Sequence, residues 1–198
     1  THLADVFVKS KIHPLQVNTE ITVQNISDGI TLQQEIRKKG EGAYSPLGQK
    51  PVKQTNVQIV FPVQEICLWE PENPHLYEIR TSLWKNGKMI DARVDITGFR
   101  EAGFRKDGFY LNGKKLRLRG LNRHQSYPYV GYAAPASMQI FDADILKKEL
   151  GVNAVRTSHY PQSQDFIRRC DEIGLLVFTE FPGWQHIGGE EWKRQAMQ

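Results

Sequence analysis

The hydrophobic period changes halfway along the chain, and that change limits the folds open to it. In the first 101 residues apolar side chains alternate in short segments, at 6–12, 21–23, 30–36, 57–63, 76–84 and 89–96. Alternation puts every second side chain on one face, as half-buried antiparallel strands require. Turn formers separate the segments: Asn25, Ser27-Asp28-Gly29, Gly40 and Gly42, Pro46 with Gly48, and Asn73-Pro74. The clearest hairpin turns at Asn86-Gly87, a pair suited to the two positive-φ positions of a type I′ turn. No segment of this half keeps a 3.6-residue period for three turns. Six or seven short strands in about 100 residues predict an immunoglobulin-like β-sandwich over residues 1–101.

The second half obeys a different pattern. A further Asn-Gly hairpin, at Asn112-Gly113, leads into a strand that ends near Gly120. Met138, Phe141, Ile145 and Leu146 then recur at spacings near three and four, and Gly151 marks a helix stop. A short strand is expected at 152–156. Ser163 can cap a second helix, with Phe166, Ile167, Cys170 and Ile173 on its inner face and Gly174 ending it. Leu175-Leu176-Val177-Phe178 is apolar throughout, as in a parallel strand covered on both faces. This β-α-β-α-β order implies right-handed parallel units. Residues 190–197 read as the opening turns of another helix. A (β/α)8 TIM barrel takes about 250 residues, so residues 102–198 read as roughly its first third. A doubly wound domain stopping here would leave a bare sheet edge.

Composition narrows the functional classes. With 39% hydrophobic and 24% charged residues, the chain is globular rather than disordered. No apolar run is long enough to span a bilayer, so no membrane partner is expected. The first residues lack a basic and then apolar leader; localisation is left open, with the cytoplasm favoured. Cys67 and Cys170 are too few for a disulfide framework, and their apolar neighbours suggest two buried free thiols. The first 101 residues carry 12 basic and 12 acidic side chains, the rest 14 and 10. That excess comes from Lys114-Lys115-Leu116-Arg117-Leu118-Arg119, too small a basic surface for a nucleic-acid binder.

In βα-repeat folds chemistry gathers at the carboxyl ends of the strands. After the first strand come Asn122-Arg123-His124-Gln125, after the second Arg156-Thr157-Ser158-His159-Tyr160-Pro161, and after the third Glu180-Phe181-Pro182-Gly183-Trp184-Gln185-His186. All three clusters are expected to face one mouth. Donors, a carboxylate and flat rings suit a polyhydroxylated ligand. A single His after a strand is more often a loop residue, but three of six His at aligned ends argue for function. Arg156 at such a mouth needs an acidic partner, which a catalytic carboxylate would supply. Glu180 fits either a helix cap or a site residue, and Trp184 either a core lid or a sugar platform. Ser158 and His159 are adjacent, a poor geometry for a dyad. G-x-S-x-G, H-E-x-x-H, C-x-x-C, Walker A and G-x-G-x-x-G patterns are absent from the sequence.

The same residues resemble glycoside hydrolase family 2, the β-galactosidase and β-glucuronidase group, over nearly the whole chain. The resemblance rests on Leu68-Trp69-Glu70-Pro71-Glu72-Asn73-Pro74-His75-Leu76-Tyr77 and Gly98-Phe99-Arg100 in the first half. In the second it rests on Phe109-Tyr110-Leu111-Asn112-Gly113-Lys114, Arg119-Gly120-Leu121-Asn122-Arg123-His124, Asn153-Ala154-Val155-Arg156-Thr157-Ser158-His159-Tyr160-Pro161 and Cys170-Asp171-Glu172-Ile173-Gly174-Leu175.

The resemblance implies a retaining β-glycosidase acting on a β-linked glycoside, with galactose favoured over glucuronic acid as the sugar. It implies substrate contacts from Asn122, His124, His159, Tyr160 and Trp184, and an Arg156 that keeps a nucleophilic Glu ionised. The catalytic Glu pair belongs to later barrel strands, so none is expected in this chain, and the chain alone is expected to be inactive. Some relatives hold magnesium with a Glu and a His after the third strand. Here His186 matches, but Trp184 stands at the Glu position, so no cofactor or metal is expected. The alternative from another class is a non-catalytic carbohydrate-binding or scaffolding module. An open sheet edge and an uncovered apolar helix face predict homo-oligomers or self-association through the partial barrel.

Overall fold

In a computed structural model, which describes residues 1–183 and 185–196, contacts divide the chain into two compact units. The first comprises Thr1–Glu70 and His75–Lys115; the second comprises Pro71–Pro74 and the chain from Leu116 onward.

The first unit is a sandwich of two antiparallel sheets. Strands β1 (His2–Ile12), β2 (Leu15–Gln24) and β5 (Asn56–Pro62) make one, in the order β1-β2-β5. Strands β3 (Ile30–Lys38), β4 (Ser45–Pro51), β8 (Tyr77–Lys85) and β9 (Lys88–Thr97) make the other, in the order β4-β3-β8-β9. Two-residue strands β6 (Trp69–Glu70) and β7 (Asn73–Pro74) lie between β5 and β8 in sequence. Alternation carries the packing: Ile30, Leu32 and Ile36 of β3 meet Val6, Ile21, Val57, Ile79 and Leu83 from both sheets. Each such side chain contributes about 1.5–3 kcal/mol when fully buried. Asn86 and Gly87 both take positive φ, and the hairpin closes with Lys85 opposite Lys88. A short meander follows, of β10 (Ala102–Arg105), β11 (Gly108–Leu111) and β12 (Lys114–Lys115). It turns at Asn112-Gly113, again with positive φ at both residues.

Three local expectations change. Pro46 and Gly48, read as turn formers, belong to strand β4. It lies at the sheet edge, where a proline's missing N–H leaves no ladder bond unmade. Gly48 lies under Phe61, whose ring would be 2.3 Å from an added Cβ. Cys67 is exposed, because Ile66 and Leu68 on either side pack inward and alternation turns Cys67 outward; Cys170 is buried as expected. Gln34 occupies an apolar position of β3 and is fully buried. Its Nε2 donates to Thr19 Oγ1 at 2.8 Å and Thr81 Oγ1 at 2.9 Å, a polar link between the sheets.

The second unit holds three parallel strands, β13 (Gly120–Arg123), β14 (Ala154–Thr157) and β15 (Leu176–Phe178), in chain order. Helix α1 (Ala136–Asp144) runs on into a π turn at Ile145–Glu149, and α2 (Gln164–Ile173) follows β14. Helix α3 (Glu190–Ala196) is last. Among the described residues no helix is long and apolar enough to cross a membrane. Ala143, Val155, Phe166, Cys170 and Leu175 form the core between strands and helices. Ser163 caps α2 by accepting from the Asp165 amide.

The inner face of α1 differs from the apolar pattern. Gln139 and Ala143 are its buried residues, and Phe141 is 58% exposed. A buried arginine on the neighbouring strand claims that face, as described below. Gly174 ends α2 at φ +75°, and a Cβ there would lie 2.0 Å from the Pro71 carbonyl oxygen. Lys147 donates to both the Pro71 and Gly174 carbonyls, at 2.9 and 3.0 Å. Gly174→Ala combines the left-handed penalty of about 1–2 kcal/mol with this backbone clash. It is expected to lower stability by more than about 2 kcal/mol, read as a reduced midpoint in urea denaturation; an unchanged midpoint would contradict the assigned packing.

Candidate active site

Parallel pairing brings the strand ends into one row, with Asn122 opposite Arg156 and Arg156 opposite Phe178. Beside them opens a cavity of about 450 Å³ lined by Asn122, Ala154, Arg156, Phe178, Thr179 and Glu180, among others. Alternation along β14 separates the roles of neighbours. Val155 is buried in the helix-side core, whereas Arg156 carries its guanidinium to Glu180 at the strand ends.

An ionic cluster occupies this rim. The Nε and Nη2 groups of Arg156 both donate to Glu180 Oε1. His159 Nδ1 pairs with Glu180 Oε2 at 2.9 Å and lies 3.4 Å from Arg156 Nη2. The Glu180 amide donates to Thr157 Oγ1 at 3.0 Å, and Thr157 in turn donates to the Phe178 carbonyl, so the backbone also holds this carboxylate in place. Burial works to raise the Glu180 pKa, but hydrogen bonds from His159 and Arg156 and their charges outweigh it, holding the carboxyl below its ordinary range. Glu180 is therefore a member of the rim, not a helix cap, and it is the acidic partner of Arg156 among the described residues.

Aromatic rings extend the rim outward. The His124 ring stands 5.4 Å from His159 and 6.1 Å from Tyr160, and Tyr132 meets Tyr160 edge-on at 5.8 Å. His186 is exposed and lines an apolar hollow with Phe181, Pro182, Ile187 and Trp192. Trp184 lies outside the described residues. Among the described residues, no group of three or more His, Cys, Asp or Glu is gathered in a way that would hold a metal ion.

Two neighbours expected at the mouth point elsewhere. Arg123 is 5% exposed and faces the helices. It donates to Asp142 at 2.8 Å, Gln162 at 2.6 Å and Gln139 at 2.7 Å, with its guanidinium 3.9 Å from the centre of the Phe166 ring. Gln125 accepts from the Ser163 amide at 2.8 Å, bracing the start of α2. Period two already puts Arg123 on the face opposite Asn122. Gln139 and Asp142, polar residues three apart on one face of the helix, were the second available sign.

Comparison with known proteins also divides the chain in two. Residues 1–100 match the family model described as glycosyl hydrolases family 2, and residues 103–195 match that of the family 2 TIM barrel domain. A β-galactosidase of Thermoanaerobacterium thermosulfurigenes is 60% identical over 136 residues, 69% of this chain and 19% of that protein. One from Thermoanaerobacter pseudethanolicus is 45% identical over 202 residues, 99% of this chain and 27% of that protein. The crystal structure of a Bacteroides uniformis β-glucuronidase superimposes with a TM-score of 0.79 at 29% identity, covering 91% of this chain and 24% of that one. The chain thus spans about a fifth to a quarter of the length of these relatives.

The placement of Arg123 has a measurable consequence. Arg123→Met removes one partner from a buried charge network, leaving Asp142 without its cation and the Gln139 and Gln162 side-chain oxygens without the guanidinium that donates to them. A loss of about 3–5 kcal/mol is expected in urea denaturation. Asn122→Ala, one residue away but exposed, is expected to stay within about 0.5 kcal/mol. Equal losses for the two variants would contradict the opposite orientations.

Proposed function

This chain belongs to glycoside hydrolase family 2, and from that premise we propose that it forms part of a longer retaining β-glycosidase that cleaves β-galactosides. The observation that supports this reading best is the Arg156–Glu180–His159 cluster beside an open cavity at three parallel strand ends. The names of the two β-galactosidase relatives favour galactose. The second reading is a β-glucuronidase, favoured by the structural neighbour from Bacteroides uniformis.

In this proposal residues 1–101 form the sandwich domain and residues 102–198 supply the first strands of the barrel. Retaining hydrolysis uses two carboxyl groups about 5–5.5 Å apart, one as acid and base, the other as nucleophile. Both are assigned to barrel strands outside this chain. Asn122, His124, His159 and Tyr160 bind sugar hydroxyls and ring faces, with Trp184 as a further platform. Arg156 serves two carboxylates. A guanidinium has five donors, and Nε and Nη2 are directed at Glu180. The Nη1 edge is then available to hold the nucleophile ionised, since a paired guanidinium depresses a carboxyl pKa. Glu180 fixes Arg156 in that pose.

The test uses the enzyme encoded by the full reading frame. It is expected to hydrolyse nitrophenyl β-galactoside with kcat/KM at least about a hundredfold above that for the glucuronide, because a site built for one polar group rejects a substrate lacking it. Arg156→Ala in that enzyme should cut kcat by about a hundredfold or more. The chain alone is expected to give no turnover. Glucuronide preference would transfer the reading to the alternative, and turnover by the chain alone, abolished by His159→Ala, would refute the assignment of the Glu pair.

Self-association of the chain is part of the same reading. Leu121 on β13, Ile140 and Phe141 on α1, and Leu150 just after the π turn are exposed, and exposed apolar side chains of this kind mark interfaces when they gather. Sedimentation of the chain at tens of micromolar, a scale typical of weak association, is expected to show dimers or larger species. A clean monomer would count against it.

A further inference from the structure

The segment that follows β13 carries three tyrosines with three different environments. Tyr127 is an anchor. Its hydroxyl donates to Asp142, the carboxylate that Arg123 also holds. Burial and that bond push its phenol pKa up to about 12. Tyr127 and Gly131 exchange two backbone hydrogen bonds, of 3.1 and 2.9 Å, closing a tight turn. Tyr129 sits at the tip with φ +70° and is fully exposed. Tyr132 leaves the turn 65% exposed, its ring at 83° to that of Tyr160.

These contacts make a continuous path. Glu180 holds His159, His159 touches His124, His124 touches Tyr160, and Tyr160 touches Tyr132. Polarity falls along it, from an ion pair at the strand ends to a phenol ring in solvent. A sugar being cleaved needs the polar end, where its hydroxyls find donors and acceptors. A leaving group has to lie farther out, where it can depart, and there this protein offers a flat ring on a turn fixed by backbone bonds. Such a ring stacks at little conformational cost.

We propose that Tyr132, braced by Tyr160 and by the turn that Tyr127 anchors, is the stacking face for the leaving group of a bound β-glycoside, an aryl ring or the C–H face of a second sugar. This inference rests on the glycosidase reading above and adds to it a residue that selects among leaving groups.

The experiment compares the full-length enzyme with its Tyr132→Ala and Tyr132→Phe variants on nitrophenyl and methyl β-galactosides, with free galactose as inhibitor. Tyr132→Ala is expected to lower kcat/KM for the nitrophenyl substrate about five- to tenfold relative to the methyl one, the range of an aromatic pair. The inhibition constant of galactose, which has no leaving group, is expected to move by less than about twofold. Tyr132→Phe keeps the ring and is expected to restore the ratio. Equal losses for both substrates, with weaker galactose binding or a lowered melting temperature, would mean that another part of the protein packs on Tyr132, and would overturn the inference. So would no loss at all. A wild-type enzyme inactive on galactosides and glucuronides alike would instead sink the glycosidase reading, and this inference with it.

Discussion

A guanidinium taken out of water costs several kcal/mol unless its donors are met, and the second unit is arranged around meeting them. Arg123 draws Asp142 and Gln139 from α1 and Gln162 from the segment before α2, while Phe166 covers its face. Its own carbonyl accepts from Gln162 Nε2 and from the Ser158 amide. One residue therefore joins a strand, both following helices and the loop that carries His159. The rotation of α1 follows from it: Gln139 and Ala143 turn inward and Phe141 turns out.

The rim inherits its geometry from that interior. Because successive strand residues face opposite sides, anchoring Arg123 toward the helices leaves Asn122 beside the cavity. The same alternation on β14 buries Val155 and presents Arg156. Tyr127 reaches the network from the loop side through Asp142, so the turn that carries Tyr129 and Tyr132 shares a carboxylate with the core. The proposed site is thus tied to the interior of the unit through Arg123 and Asp142.

Much of the architecture was legible because its signals are local. Asn86-Gly87 and Asn112-Gly113 adopt the positive φ values their turn type demands, Ser163 caps α2, and Gly174 ends it in the left-handed region. The residues that departed from expectation did so through long-range packing. Pro46 and Gly48 form a strand because β4 lies at an edge and passes under Phe61. Gln34 takes a core position because Thr19 and Thr81, from two other strands, meet its amide. Neither circumstance is visible within a few residues of the position concerned.

The amino-acid order alone determined the two periods, the parallel βαβ succession and the three strand ends at which polar residues collect, since these depend on spacing and on caps within one turn. Only the tertiary structure decided which carboxylate Arg156 holds and which face Arg123 takes. Glu180 lies 24 residues from Arg156 in the chain. They meet because β14 and β15 pair in a particular register, and that register is set by helix packing and buried charge across the whole unit.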